Sequence, residues 1–292
     1  MNETIIHPIK LRAWKWPAAP NFVMGGMAAG FYILIFLFEV QSSEASIAFH
    51  SFVLKLLAPA MVCLGFLSLA LEAGRPLRSY NLLRNMRRSW MSLETLSGGI
   101  FVALASTDWL FPNQIIQGCA FVAALVFIVS QGFILYSARS VASWNVPVMP
   151  VSYLISCGTM GAGLAMILAS LNTFTMGPDM SITIVFLLLI DLVIWLFYLF
   201  AYEDDIFRST TKALRSAVAL ITTVGIGLLL PIILLLLTSS LPEGAVTDNR
   251  SVLALAGITI VIGGAFRKIG ILLGTDYLRE ITIVKPGLHN LS

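Results

Sequence analysis

Eight apolar stretches, each long enough to cross a hydrocarbon layer, recur along this 292-residue chain. They fall at roughly 17–40, 48–71, 92–111, 115–138, 147–170, 180–202, 213–238 and 251–276. About 20 apolar residues suffice for one helical crossing. Backbone amides cannot stay unpaired in lipid, so each stretch is predicted to be helical. Hydrophobic residues make up 58 % of the chain and charged ones only 11 %, against about 25 % charged in a soluble domain. The expectation is an all-α integral membrane protein. A single polytopic domain over residues 1–292 would hold eight transmembrane helices, with no soluble domain at either end.

The sparse charge is unevenly placed. Of 18 basic residues, sixteen fall on one side of the predicted topology. These are Lys10, Arg12 and Lys15 before span 1; Arg75, Arg78, Arg84, Arg87 and Arg88 between spans 2 and 3; Arg139 between spans 4 and 5; Arg208, Lys212 and Arg215 between spans 6 and 7; and Arg267, Lys268, Arg279 and Lys285 near or beyond the end of span 8. Only Arg250 and Lys55 fall elsewhere. Such a bias predicts that this face, with both termini, is cytoplasmic. The net charge of +3 is too small to argue for a nucleic-acid partner; the lipid bilayer is the expected surrounding.

Polar side chains inside spans are costly and by default functional suspects. Near the basic face lie Trp16, Asn21, Glu72, Arg75, Trp90, Glu94, Gln131, Tyr136, Trp144, Asn145 and Arg267. Near the other face lie Glu39, His50, Lys55 and Asp108; Glu39, Lys55 and Asp108 either neutralise one another or mark a proton or water route. Asp191 sits mid-span without an evident partner, either a protonated carboxyl bonded to a neighbour or part of a relay. The inner group combines amide donors, a titratable carboxyl, cations and aromatic planes. A quinone would use such a pocket, taking donors for its carbonyls, a titratable group for its protons and apolar walls for its ring. The tryptophans also read as interface anchors, and the arginines as topology signals with headgroup contacts.

Other chemistries are disfavoured. Cys63, Cys119 and Cys157 lie inside apolar runs without CxxC spacing, so they read as small buried hydrophobes and not as metal ligands. Of His7, His50 and His289, only His50 falls within a span, whereas a haem held by two histidines between helices needs a pair. No metal site and no haem are expected. The pairs Gly26/Gly30, Gly98/Gly99 and Gly263/Gly264, and the run Gly158–Gly163, read as flat packing faces. "WKWPAAPNFVMGGMAAG" in span 1 and "SWNVPVMPVSYLISCGTMGAG" in span 5 echo each other, compatible with two related four-helix bundles.

Three segments carry a resemblance to a known family. "LEAGRPLRSYNLLRNMRRSWMSLE" and "LYSARSVASWNVPVMPVSYLISCGTMGAGL" resemble motifs of the NrfD/polysulfide reductase membrane-subunit family and its DmsC-like relatives; "WKWPAAPNFVMGGMAAGFY" looks like their first helix. The resemblance implies a haem-free, quinone-reactive anchor, not itself catalytic for the substrate of its complex. It would dock a four-cluster iron–sulfur, ferredoxin-like subunit and, through it, a molybdenum or tungsten catalytic subunit; the clusters and the metal cofactor belong to those partners. The quinone, menaquinone or ubiquinone, would be bound by Trp16, Asn21, Glu72, Arg75, Ser130, Gln131, Trp144 and Asn145. Protons would move by Glu72, Asp191 and Asp108. Arg78, Arg84, Arg87, Arg88 and Trp90 would face the iron–sulfur partner, on the cytoplasmic side. Two other readings stand beside this one, a secondary transporter and a purely structural anchor.

Overall fold

A computed structural model describes residues 3–6, 16–41, 52–72, 89–171, 176–240, 249–277 and 281–284. The side chains of Glu39, Lys55 and Glu72, His50, and the segment 73–88 with Arg75, Arg78, Arg84, Arg87 and Arg88 lie outside the described residues.

Eight long helical rods run through the described residues. The first, α1, joins Ala18–Pro20, a π-helical turn Asn21–Gly25 and Gly26–Gln41. Then follow α2 (Phe52–Glu72), α3 (Trp90–Leu110), α4 (Gln114–Tyr136), α5 (Met149–Ser170) and α6 (Pro178–Phe200). Two short turns, Asp205–Thr210 and Lys212–Arg215, lead to α7. That rod joins Ala217–Leu220, a π-helical stretch Ile221–Leu229 and Leu230–Ser240. The last is α8 (Asn249–Gly274).

Six rods (α1, α4, α5, α6, α7 and α8) are long and apolar enough to cross a membrane. The protein is thus a multi-pass membrane protein, but the expected count of eight crossings is met for six. In α2 only Leu56–Leu71 qualifies, as a shorter apolar helix. Helix α3 has the length, yet Glu94, Asp108 and several serines and threonines dilute its hydropathy. Large apolar side chains stand on the outside, Phe186 at 61 % and Val193 at 66 % exposed on α6. A water-facing helix would not leave such a stripe bare, so this face is matched to lipid.

Packing groups α1–α4 and α5–α8 about a crossing of α1 with α5. Glycines set how close that crossing is. A Cβ at Gly30 would strike the Cys157 carbonyl, and one at Gly161 would strike the backbone of Gly30 and Phe31. The two segments that echo each other in sequence therefore meet backbone to backbone. Gly227 and Gly263 do the same for α7 and α8. Lipid tails give no hydrophobic drive between helices, so close contact of this kind holds them together.

Proline explains one irregularity. Pro231 has no N–H, and its ring clashes with the carbonyl four residues back in a regular helix. The π-helical stretch ending at Leu229 widens the winding just ahead of it. At the chain ends, β1 (Glu3–Ile6) pairs antiparallel with β2 (Ile281–Val284), Glu3 opposite Val284. Both ends therefore lie together.

Candidate functional site

Three helices converge on one carboxyl. Asn21 opens the π-helical turn of α1, Glu94 lies one turn inside α3, and Gln131 lies near the end of α4. Because α3 and α4 run antiparallel through a short turn, the start of one and the end of the other sit at the same depth. Asn21 Nδ2 donates to Glu94 Oε1 at 2.8 Å and Gln131 Nε2 donates to the same oxygen at 3.0 Å. Gln131 Nε2 also lies 3.4 Å from the Asn21 carbonyl. All three side chains are buried. Among the described residues, the amide oxygens Asn21 Oδ1 and Gln131 Oε1 have no hydrogen-bond partner. Buried acceptors left open are uncommon and ask for a donor. Beneath the cluster, Phe66 of α2 and Phe127 of α4 meet edge to face at 5.8 Å and wall it with aromatic surface.

A second group adjoins it across α5 and α8. Lys268 is buried, and its Nζ donates to the Phe22 carbonyl at 3.1 Å and to Cys157 Sγ at 3.0 Å. It also stands 4.4 Å over the Tyr153 ring, whose hydroxyl donates to the same Phe22 carbonyl at 3.4 Å. Gly26 is where the two groups touch: a Cβ there would lie 2.6 Å from Lys268 Nζ and 3.2 Å from Gln131 Oε1.

The third group is an ion pair. Arg267 NH1 donates to Asp191 Oδ1 at 2.7 Å, while NH2 donates to Ser152 Oγ at 2.6 Å and to its carbonyl at 3.1 Å. Thr159 Oγ1 donates to Asp191 Oδ2 at 2.9 Å. The guanidinium lies 4.4 Å from the Trp195 ring centre, and Trp195 Nε1 donates to Thr223 Oγ1 at 3.1 Å. Charges this deep are tolerated only when paired and bonded in this way.

Of the residues nominated from sequence, Asn21 and Gln131 come together. Ser130 is buried beside Gln131, but its hydroxyl donates to the Val126 carbonyl of its own helix at 2.7 Å. Trp144 and Asn145 lie in the α4–α5 connection: Trp144 Nε1 donates to the Ile271 carbonyl of α8 at 2.9 Å, and Asn145 Nδ2 to the Tyr136 carbonyl of α4 at 2.6 Å. Trp16 is 68 % exposed. Trp90, exposed at the start of α3, stacks on Phe133 of α4 with ring centres 4.4 Å apart. Asp108 closes the α3–α4 turn, accepting from Asn113 N at 3.0 Å and Gln117 Nε2 at 3.3 Å. Asp191 has the partner that sequence did not reveal.

Two expectations need correcting. Cys63 and Cys119 are exposed on the outer faces of their helices, and only Cys157 is buried. Arg267 and Lys268, counted toward the basic face, point into the bundle, where Asp191 and Ser152 hold the first and the Phe22 carbonyl and Cys157 the second; fourteen of the 18 basic residues still favour that face. The sequence missed the central place of Glu94, although Glu94 closes the "SWMSLE" motif. Lys268 and Tyr153 carried no signal beyond their types. Among the described residues no group of three or more His, Cys, Asp or Glu could hold a metal ion.

Residues 6–277 match the family model described as Polysulphide reductase, NrfD. No curated protein matches this sequence.

Proposed function

This chain belongs to the NrfD polysulphide reductase family, which implies a membrane subunit of a polysulphide-reductase-type complex, and we propose that within such a complex it is the haem-free subunit that exchanges electrons with membrane quinone. The observation that carries this reading is the convergence of Asn21, Glu94 and Gln131 on one buried spot with two amide oxygens left open. A quinone ring interconverts carbonyl and hydroxyl forms, so its site has to supply acceptors, donors and a place for a proton. The open amide oxygens accept from a hydroxyl. Glu94 takes or returns the proton, held in place by the amides of Asn21 and Gln131. Phe66 and Phe127 offer apolar surface for the ring.

The sequence nominated Glu72 for the proton role. Glu94 takes precedence because the amides of Asn21 and Gln131 hold its carboxyl in the buried cluster. Asp191, paired with Arg267 and adjoining Cys157 and Lys268 through α5, would carry protons onward only if that pair opens. Asp108 is a turn cap in this account.

The docking partner is a four-cluster iron–sulfur subunit, linked to a molybdenum or tungsten catalytic subunit, with Trp90 and the arginines of 75–88 toward it. The basic face is cytoplasmic in this reading. The pairing of β1 with β2 supports termini on a common side, and the fourteen basic residues support which side. The test is quinone-linked turnover of the purified complex against turnover with a soluble dye. Loss of the first alone in Glu94→Gln supports the reading; equal loss of both contradicts it.

A further inference from the structure

Lys268 is buried with no ion-pair partner among the described residues. What surrounds its ammonium suits a cation. Nζ donates to the Phe22 carbonyl of α1 and to Cys157 Sγ of α5, and it stands over the face of the Tyr153 ring. None of these groups is the opposite charge that a buried ammonium calls for. Arg267, next to it on α8, is spent on Asp191 of α6. Of the other buried carboxyls among the described residues, Asp108 caps the α3–α4 turn and Asp276 lies beyond the end of α8. Glu94 remains.

The Gln131 amide stands between the two. Its Nε2 donates to Glu94 Oε1 at 3.0 Å. Its Oε1 sits by Gly26, where a Cβ would lie 3.2 Å from that oxygen and 2.6 Å from Lys268 Nζ. Oε1 and Nζ are therefore no further apart than those two distances end to end. An ionised carboxyl only accepts hydrogen bonds, which fixes the end of the amide that faces it. The amide dipole thus has its positive end on Glu94 and its negative end on the side of the ammonium, the orientation that two opposite charges impose. Gly26 makes the arrangement possible, since a side chain there would collide with both Nζ and Cys157 Sγ. We propose that Lys268 is the counter-charge of Glu94, favouring the ionised carboxyl through the Gln131 amide. On the quinone reading above, on which this consequence rests, Lys268 then sets the pH at which Glu94 exchanges its proton. It acts on Glu94 by position and touches no ring.

The test follows the Glu94 carboxyl itself. In the whole purified complex, without added quinone, the infrared carbonyl band of a protonated carboxyl is titrated against pH and assigned by its loss in Glu94→Gln. Lys268→Met and Lys268→Gln remove the charge with different shapes, and in both the Phe22 carbonyl keeps the Tyr153 hydroxyl as a donor. Each is expected to move the midpoint up by about one pH unit, a tenfold gain in the carboxyl's proton affinity. Lys268→Arg keeps the charge and should keep the midpoint. The other groups facing the pair stay in place in every variant: Tyr153 and Cys157 on α5, the amide of Asn21 on α1, and Arg267 with Asp191. A midpoint that neither neutral variant moves would overturn the proposal, as would Lys268→Arg moving it as far as they do. Quinone-linked turnover in the same variants should shift its pH profile upward too, whichever way electrons run. A moved band with an unmoved turnover profile would support the pairing and contradict the quinone reading.

Discussion

Arg267 and Asp191 are 76 positions apart in sequence and 2.7 Å apart in the bundle. They join α8 to α6, and through Ser152 and Thr159 both reach α5. Breaking such a pair leaves one buried charge uncompensated, which costs about 3–5 kcal/mol, whereas replacing both partners with apolar residues of similar size is often neutral. Arg267→Met and Asp191→Leu should each lower the melting temperature of the detergent-solubilised protein sharply. The double variant should recover most of the loss. A double variant as unstable as either single one would mean that the pair is not the unit that matters.

Glu94 and Glu72 make opposite predictions. With Glu94 as the group that exchanges a proton with quinone, Glu94→Gln should reduce quinone-linked turnover by about 10²-fold or more, leaving dye-linked activity intact. Glu72→Gln should have the smaller effect. A reversed order would return the proton role to the carboxyl nominated from sequence.

The α1–α5 crossing tolerates no side chain. Gly161→Leu should abolish membrane-inserted, folded protein, because a Cβ at Gly161 already meets the backbone of α1. Gly99→Ala is the control: nothing lies within 4 Å of that position, and exchanging an exposed helical glycine for alanine gains up to about 1 kcal/mol. Expression and thermal melts of the two variants check both outcomes. Normal folding of Gly161→Leu would mean the helices do not approach this closely.

The rods were legible in the sequence, but their contacts were not. The run from Pro178 to Phe200 holds a single charge in its interior, Asp191, and announces α6 by composition. In α3, Glu94 and Asp108 dilute the same signal while remaining buried in the bundle. Depth sorting placed Asn21 and Gln131 in one group, since position along a span follows from counting residues. It placed Trp144 and Asn145 there as well, because counting cannot tell which face of a helix meets which neighbour. Lys268 shows the same limit: beside the end of a span it reads as an orientation signal, yet its side chain turns back toward Phe22 and Cys157.

The charge-rich connection between α2 and α3 is expected to dock the iron–sulfur partner. Arg84→Glu combined with Arg87→Glu should release that partner from membranes into the soluble fraction, because reversed charges repel the acidic surface they had paired with. Undiminished co-purification would place the dock elsewhere. A reporter fused after Ser292 should behave as cytoplasmic, and so should one fused at the N-terminus. Opposite behaviour of the two would contradict the pairing of β1 with β2.

The most direct test of the quinone site is where a photoreactive quinone attaches in the purified complex. Peptides carrying Asn21, Glu94 and Gln131 should take the label, and both Glu94→Gln and an excess of unlabelled quinone should suppress it. Labelling confined to the opposite end of the bundle, around Asp108 and Gln117, would contradict the account, as would labelling that Glu94→Gln leaves unchanged.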